Sequence, residues 1–63
     1  MKLTEFSEKL KNKFSLREMN EIYPQVSKYG LFEEFILSYN QGIEKLNMSH
    51  EQAIYYALCE WDM

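Results

Sequence analysis

The residues best suited to covalent catalysis in this sequence are its one cysteine and its one histidine, Cys59 and His50. A nucleophilic site needs a thiol or hydroxyl, a base and an orienting group within hydrogen-bond reach of one another. The two residues lie on one predicted helix, about 13 Å apart along its axis. We therefore predict no catalytic pair and no enzymatic activity. His50 is expected to be exposed in a first helical turn, and Cys59 to be a small apolar or partly exposed helix residue.

Metal and nucleotide sites lack the residue types that they need. Structural zinc takes four Cys or His ligands, and the last predicted helix offers only His50, Cys59 and the carboxylate of Glu51. Glu33 and Glu34 are adjacent, so they point about 100° apart on a helix and suit a helix N-terminus better than acid–base chemistry. No glycine-rich phosphate loop is present. We predict no catalytic residue, no metal and no cofactor.

Length and composition indicate one small domain, residues 1–63. A chain of 63 residues buries only about 60% of its unfolded surface. A single cysteine excludes an intramolecular disulfide and fits a reducing compartment. The apolar runs are far shorter than a signal peptide or a membrane span requires. We expect a cytoplasmic protein with no membrane association, its core built from large aromatic side chains.

Apolar residues recur at helical spacing along the whole chain, which predicts an all-α fold. Strand signals are weak, since the chain has one valine and no alternating β-branched run. The expected architecture is a compact bundle of three to four short helices. The predicted helices cover about residues 4–13, 15–23, 31–46 and 49–61.

Local capping signals support the predicted helix starts. Ser15 with Glu18, and Ser49 with Gln52, have the spacing of capping boxes, in which each side chain satisfies a backbone N–H of the other. Thr4 is the predicted N-cap of the first helix. These polar signals each precede an apolar stripe, so sequence pattern and capping chemistry agree.

Proline and glycine set the remaining boundaries. Pro24 predicts that the second helix ends or kinks near Tyr23, although proline equally suits the start of a further turn over 24–29. Gly30 is expected at a helix C-terminus with positive φ. Gly42 lies inside the third helix, where it marks either a kink or the close approach of another backbone. The sequence leaves both alternatives open.

The last helix carries more aromatic surface than one small bundle can bury. Its predicted core face combines two alanines with larger apolar residues: Ala53, Ile54, Ala57, Leu58 and Trp61. Two other lines along the helix hold both tyrosines, so at least one tyrosine must be exposed or must meet another chain. Tyr, Trp and Met are enriched at the cores of protein interfaces. The equally weighted alternative is that the tyrosine rings lie flat with their hydroxyls in water.

The predicted partner-binding surface combines these aromatic residues with nearby carboxylates. It consists of Tyr55, Tyr56, Cys59, Trp61, Met63, Glu51 and Glu60. We expect a small module that binds a larger bacterial protein stoichiometrically, in the host or as a phage target, and inhibits or modulates it. Short, acidic-leaning, aromatic-rich chains of this composition are typical of bacteria, plasmids and phages. Self-association into a homodimer is a second expectation.

Nucleic-acid binding is the alternative, because Leu31–Trp61 has the helix–turn–helix order of a DNA-binding transcriptional regulator. Residues 1–30 carry a net charge of +2, whereas residues 31–63 carry −5. The last helix offers Gln52 but no Lys or Arg, so phosphates would be repelled. We therefore expect no nucleic-acid partner. Whether the acidic residues form a face that imitates phosphates stays open, since their spacing gives no continuous row.

Overall fold

The computed structural model describes residues 1–63 as four α-helices with no strand. The helices are α1 (Leu3–Lys9), α2 (Leu16–Tyr29), α3 (Phe32–Glu44) and α4 (His50–Glu60). The predicted all-α class is confirmed. The chain divides into two compact units, Met1–Phe32 (unit 1) and Glu33–Met63 (unit 2), which are described separately below. None of the four helices has the length and hydropathy needed to cross a bilayer.

Both predicted capping boxes are present. The Ser15 Oγ accepts a hydrogen bond from the Glu18 amide at 3.2 Å, and the Ser15 amide donates to Glu18 Oε1 at 2.8 Å. At α4, the Ser49 Oγ accepts from the Gln52 amide at 3.2 Å, and the Ser49 amide donates to Gln52 Oε1 at 3.1 Å. These bonds satisfy N-terminal amides that have no partner inside the helix. They fix the starts of α2 and α4 within one residue of the predicted positions.

The start of α1 differs from the prediction. The N-cap is Lys2, whose side chain makes no capping hydrogen bond, and Thr4 is already the second residue of the helix. The expectation that Thr4 caps α1 is therefore wrong. The apolar Leu3 is the first residue of the helix, so the N-cap lies two residues before the predicted one.

Three helices end in a Schellman motif, in which a residue with left-handed geometry lets two amides bond back to the last turn. At α2 this residue is Gly30, with φ 66°, as predicted. At α1 and α4 it is Lys11 (φ 58°) and Asp62 (φ 59°). Since neither residue is glycine, these two helix ends could not be predicted from residue type. In particular, α1 ends at Lys9 rather than at residue 13.

The core of unit 1 is built from one residue of α1, two residues of the following turn and three residues of α2. Its buried side chains are Phe6, Leu10, Phe14, Met19, Ile22 and Val26. The ring of Tyr23 lies 6.1 Å from that of Phe6 and 5.6 Å from that of Phe32, between ring centroids. The Tyr23 hydroxyl donates to the Met1 carbonyl at 2.6 Å. The hydrogen bond therefore holds the chain start against α2. The ring contact holds Phe32, the first residue of α3, against the same helix.

The structure resolves the alternatives at Pro24 in favour of one continuous helix, so the predicted end near Tyr23 is wrong. Pro24 is exposed and lies inside α2, while Ile22 and Val26 on either side of it are buried. A proline amide cannot donate to the carbonyl four residues earlier. The Gln25 side chain donates to the neighbouring Glu21 carbonyl at 3.1 Å. Burial of the flanking residues outweighs the missing bond.

In unit 2, α3 and α4 approach each other closely at Gly42. A Cβ atom at this position would lie 3.1 Å from the Ala53 Cβ, 3.3 Å from the Ala53 Cα and 3.3 Å from the Met48 Sδ. Ala53 and Ala57 are fully buried. Gly42 is thus the site of a close helix–helix approach, the second of the two alternatives. The third helix is shorter than the predicted range 31–46, because it ends at Glu44. Leu46, which follows it, is exposed.

Replacing Pro24 with alanine should stabilise the protein. The change restores an amide donor inside α2, and a proline in a helix interior costs about 3 kcal/mol. The more flexible unfolded chain offsets part of that gain, so we expect the free energy of unfolding to rise by about 1–2 kcal/mol. Urea unfolding followed by circular dichroism measures the change, with Ser27→Ala, exposed on the same helix, as the control. A lower free energy of unfolding would contradict the account of α2.

Replacing Gly42 with alanine should destabilise the protein, although alanine is the better helix former by about 1 kcal/mol. Overpacking typically costs about 1–3 kcal/mol, and the Ala53 backbone cannot move without shifting α4. We expect a net loss of up to about 2 kcal/mol in urea unfolding. Adding Ala53→Gly should recover part of the loss, because it removes the nearest atom. Gly30→Ala is the comparison, since only its positive φ and no close contact opposes a side chain.

Candidate functional site

The side of α4 that faces away from the buried alanines is occupied by Tyr55. Its side chain is 74% exposed, and Glu51 and Cys59 lie one helical turn before and after it on the same line, both exposed. Ala53, which lies against Gly42 of α3, and Ala57 are fully buried on the opposite side. The sequence-based prediction of an exposed tyrosine is therefore correct for Tyr55, and the structure places three of the predicted residues together.

A second line on α4 runs beside the first. Tyr56 is half-buried and Glu60 is exposed. We define the α4 surface as Glu51, Tyr55, Tyr56, Cys59 and Glu60. Met63 follows on the Tyr56 line but lies beyond the helix, where its amide donates to the Leu58 carbonyl at 2.9 Å in the terminal Schellman motif. Met63 is half-buried, so it borders the α4 surface and contributes little exposed area to it.

Trp61 does not belong to this surface, although the sequence grouped it with the tyrosines. The residue is the C-cap of α4, and its indole Nε1 donates a hydrogen bond to the Oγ of Ser38 on α3 at 2.8 Å. Ser38 is buried and Trp61 is 38% exposed. The prediction that Ile54, Leu58 and Trp61 belong to the buried face is also wrong, because Ile54 and Leu58 are only half-buried. The alanines take the core position since they alone permit the close approach.

His50 is held by a contact that the sequence did not indicate. Its Nδ1 lies 2.8 Å from the hydroxyl of Tyr39, and the two rings meet edge to face with centroids 5.7 Å apart. Tyr39 is buried and His50 is half-buried, so the expectation of an exposed His50 is wrong. Cys59 is an exposed free thiol at the other end of α4. A Tyr–His contact across eleven positions leaves no local signature, which is why the pattern of α4 could not reveal it.

Unit 1 contains a groove that sequence reasoning missed. It has a volume of about 260 Å³, opens to solvent, and is lined mainly by apolar side chains: Leu3, Thr4, Ser7, Phe14, Leu16 and Met19. We call it the unit 1 groove. Leu16, the first residue of α2, is 73% exposed at the edge of the groove. The Ser7 hydroxyl donates to Asn12 Oδ1 at 3.1 Å, which ties the end of α1 to the following turn.

No group of three or more His, Cys, Asp or Glu side chains is arranged to hold a metal ion. The exposed carboxylates of α4, Glu51 and Glu60, are nine positions apart and do not converge. The arrangement on α4 offers an aromatic ring flanked by acidic groups.

The Trp61–Ser38 hydrogen bond should contribute measurably to the stability of unit 2. Trp61→Phe keeps an aromatic ring but leaves the buried Ser38 hydroxyl without its donor, which costs about 1–3 kcal/mol. Ser38→Ala in the same chain should recover part of that cost, since no unsatisfied hydroxyl then remains. Urea unfolding followed by far-ultraviolet circular dichroism measures the stability of the wild type, the two single variants and the double variant, which together form a double-mutant cycle. Additive effects of the two changes would show that the bond has no energetic role.

Comparison with protein-family models, with curated proteins and with solved structures gave no match to this chain. Two surface features of the chain are candidate binding sites: the exposed aromatic and acidic α4 surface in unit 2 and the apolar groove in unit 1.

Proposed function

We propose that this chain is a non-enzymatic protein-binding module that binds a larger protein stoichiometrically through the α4 surface and thereby inhibits or modulates it. The observation that carries the proposal is the position of Tyr55, the most exposed large apolar residue of the chain. It stands on a regular, capped helix, so its direction is fixed by α4 and not by a mobile loop. The proposed setting is the cytoplasm, in keeping with the one free cysteine.

The composition of the α4 surface resembles that of a small interface. Tyrosine is among the residues that contribute most to binding, since it brings large contact area at low cost in side-chain entropy. Glu51 and Glu60 surround the rings with charge, as the polar rim surrounds the core of an interface. Tyr55 and Cys59, spaced by one turn, are typical anchor positions of a helix that lies in a groove.

The charge of unit 2 defines the chemistry of the partner. Residues 33–63 carry six acidic side chains and one basic side chain. A partner groove with an apolar floor and a basic rim would complement this surface, and such complementarity raises the association rate and excludes acidic competitors. The proposed partner is therefore a protein with a basic, aromatic-accepting cleft.

Nothing in the geometry of α4 favours the DNA-binding alternative. Gln52, the one side chain suited to reading a base edge, is engaged in the capping box through its Oε1. The helix presents Glu51 and Glu60 where phosphate contacts would require cations. Salt-dependent binding of the protein to duplex DNA would overturn this argument and establish the alternative.

Affinity capture from a lysate of the native cell tests the proposed function. The immobilised protein and its Tyr55→Ser variant are compared by quantitative mass spectrometry. We expect a partner retained by the wild type in about equimolar amount and at least tenfold less by the variant, because truncating a central interface tyrosine costs about 2 kcal/mol or more.

The matched control for the capture is Leu37→Ser, which removes a 57% exposed apolar side chain from α3 in the same unit but outside the α4 surface. It should capture the partner as the wild type does. Equal capture by the wild type and the Tyr55 variant would contradict the proposal, since the α4 surface would then play no part in recognition.

A further inference from the structure

We infer that the unit 1 groove is an aryl-binding site whose occupant is Tyr55 of a second copy of this chain. The inference rests on the proposed function, because it uses the same α4 surface, and it names one protein that this surface binds. Each copy would offer one groove and one exposed tyrosine. The contact between copies is therefore between unlike surfaces, the heterologous type of association.

The size of the groove suits a phenol ring. Its volume is about 260 Å³, whereas an apolar cavity of about 150 Å³ accommodates benzene. Phe14 can pack against an aromatic ring, and the thioether of Met19 makes favourable contacts with ring edges. Leu16, exposed at the edge, would lose its contact with water when the groove is filled.

The polar groups of the groove suit the hydroxyl of a tyrosine. Thr4 and Ser7 are the two polar side chains among its six lining residues. The Ser7 hydroxyl already donates its proton to Asn12, so its oxygen remains able to accept a hydrogen bond. A buried tyrosine hydroxyl requires such a partner. A purely aliphatic occupant would make no hydrogen bond with either hydroxyl.

Charge identifies α4 as the complementary segment. The elements that form the groove, α1, the following turn and α2, lie within residues 1–29, which carry six basic and four acidic side chains, a net charge of +2. Residues 50–63, which contain α4, carry three acidic side chains and no basic one. Among the aromatic residues, Tyr55 is the most exposed, Trp61 is bonded to Ser38, and the Tyr29 ring lies 5.6 Å from the Lys28 Nζ. Tyr55 is therefore the ring best placed to enter the groove of another copy.

A complementation experiment with two variants tests the inference. Tyr55→Ser lacks the ring but keeps the groove. Leu16→Glu keeps the ring but places a negative charge at the edge of the groove, at a residue so exposed that the fold is unaffected. We expect the wild type to show a mass above the 7.7 kDa of one chain by light scattering at high concentration. Each variant alone should remain at 7.7 kDa.

An equimolar mixture of the two variants should form a complex of two chains and no more, because only one intact groove meets one intact ring. Methyl signals of Leu3 and Met19 in isotope-labelled Tyr55→Ser protein should shift when unlabelled Leu16→Glu protein is added. Thr4→Tyr, which fills the groove from within the same chain, should reproduce the effect of Leu16→Glu. Leu37→Ser, outside both surfaces, should associate as the wild type does. Circular dichroism confirms that every variant is folded.

The outcomes separate this inference from the proposed function. A wild type that stays at the mass of one chain at every concentration overturns the inference, as does undiminished association of the Leu16→Glu and Thr4→Tyr variants. In either case, partner capture that depends on Tyr55 would leave the proposed function standing. The opposite result is complementation between the two variants without any partner capture that depends on Tyr55. It would overturn the proposed larger partner and identify a second copy of the chain as the protein that α4 binds.

Discussion

The close approach of α3 and α4 at Gly42 and Ala53 determines how the rest of unit 2 is arranged. Two helices can come this near only where both present small residues, as Gly42 and Ala53 do here. Ala57, one turn further along α4, is also fully buried. Ile54 and Leu58 then lie at the margins of the contact, half-buried. Tyr55, on the opposite side of α4, has no helix to pack against. The exposed aromatic surface is thus a direct consequence of how tightly the helix is held on its other side.

A chain of this length cannot bury all of its large side chains, so some of them remain exposed. In unit 1, three aromatic side chains pack against one another instead: Phe6, Tyr23 and Phe32. That cluster leaves the other side of α1 beside an open groove. The two units also differ in charge, with a net +2 on residues 1–32 and −5 on residues 33–63. The two units therefore differ in surface chemistry, since unit 1 has an open groove and a net positive charge and unit 2 an exposed tyrosine and a net negative charge.

Sequence reasoning succeeded where the determining interaction spans a few residues. The capping boxes at Ser15 and Ser49 were recognisable because donor and acceptor lie three positions apart. Gly30 was recognisable as a helix end because glycine adopts positive φ without strain. The exposure of at least one tyrosine on α4 was expected from counting aromatic residues on one short helix, and that tyrosine is Tyr55. All of these inferences needed only the geometry of a single turn or helix.

The failures share a different cause. Pro24 is tolerated within α2 because Ile22 and Val26 are buried, which depends on packing and not on local propensity. Lys11 and Asp62 adopt left-handed geometry without being glycine, since the surrounding turns hold them there. The partners of Trp61 and His50 lie on α3, beyond the reach of any periodic pattern. The groove was missed for the same reason, as its lining comes from α1, the following turn and α2.

The hydrogen bond between Trp61 and Ser38 has a spectroscopic consequence. Trp61 is the only tryptophan of the chain, and both partners of the bond belong to unit 2. Its emission therefore reports on that unit alone, whereas the backbone ellipticity sums over all four helices. The molecule carries a built-in chromophore that distinguishes cooperative loss of the whole fold from separate melting of its halves. Coincident transitions of the two signals would mark a single cooperative unit.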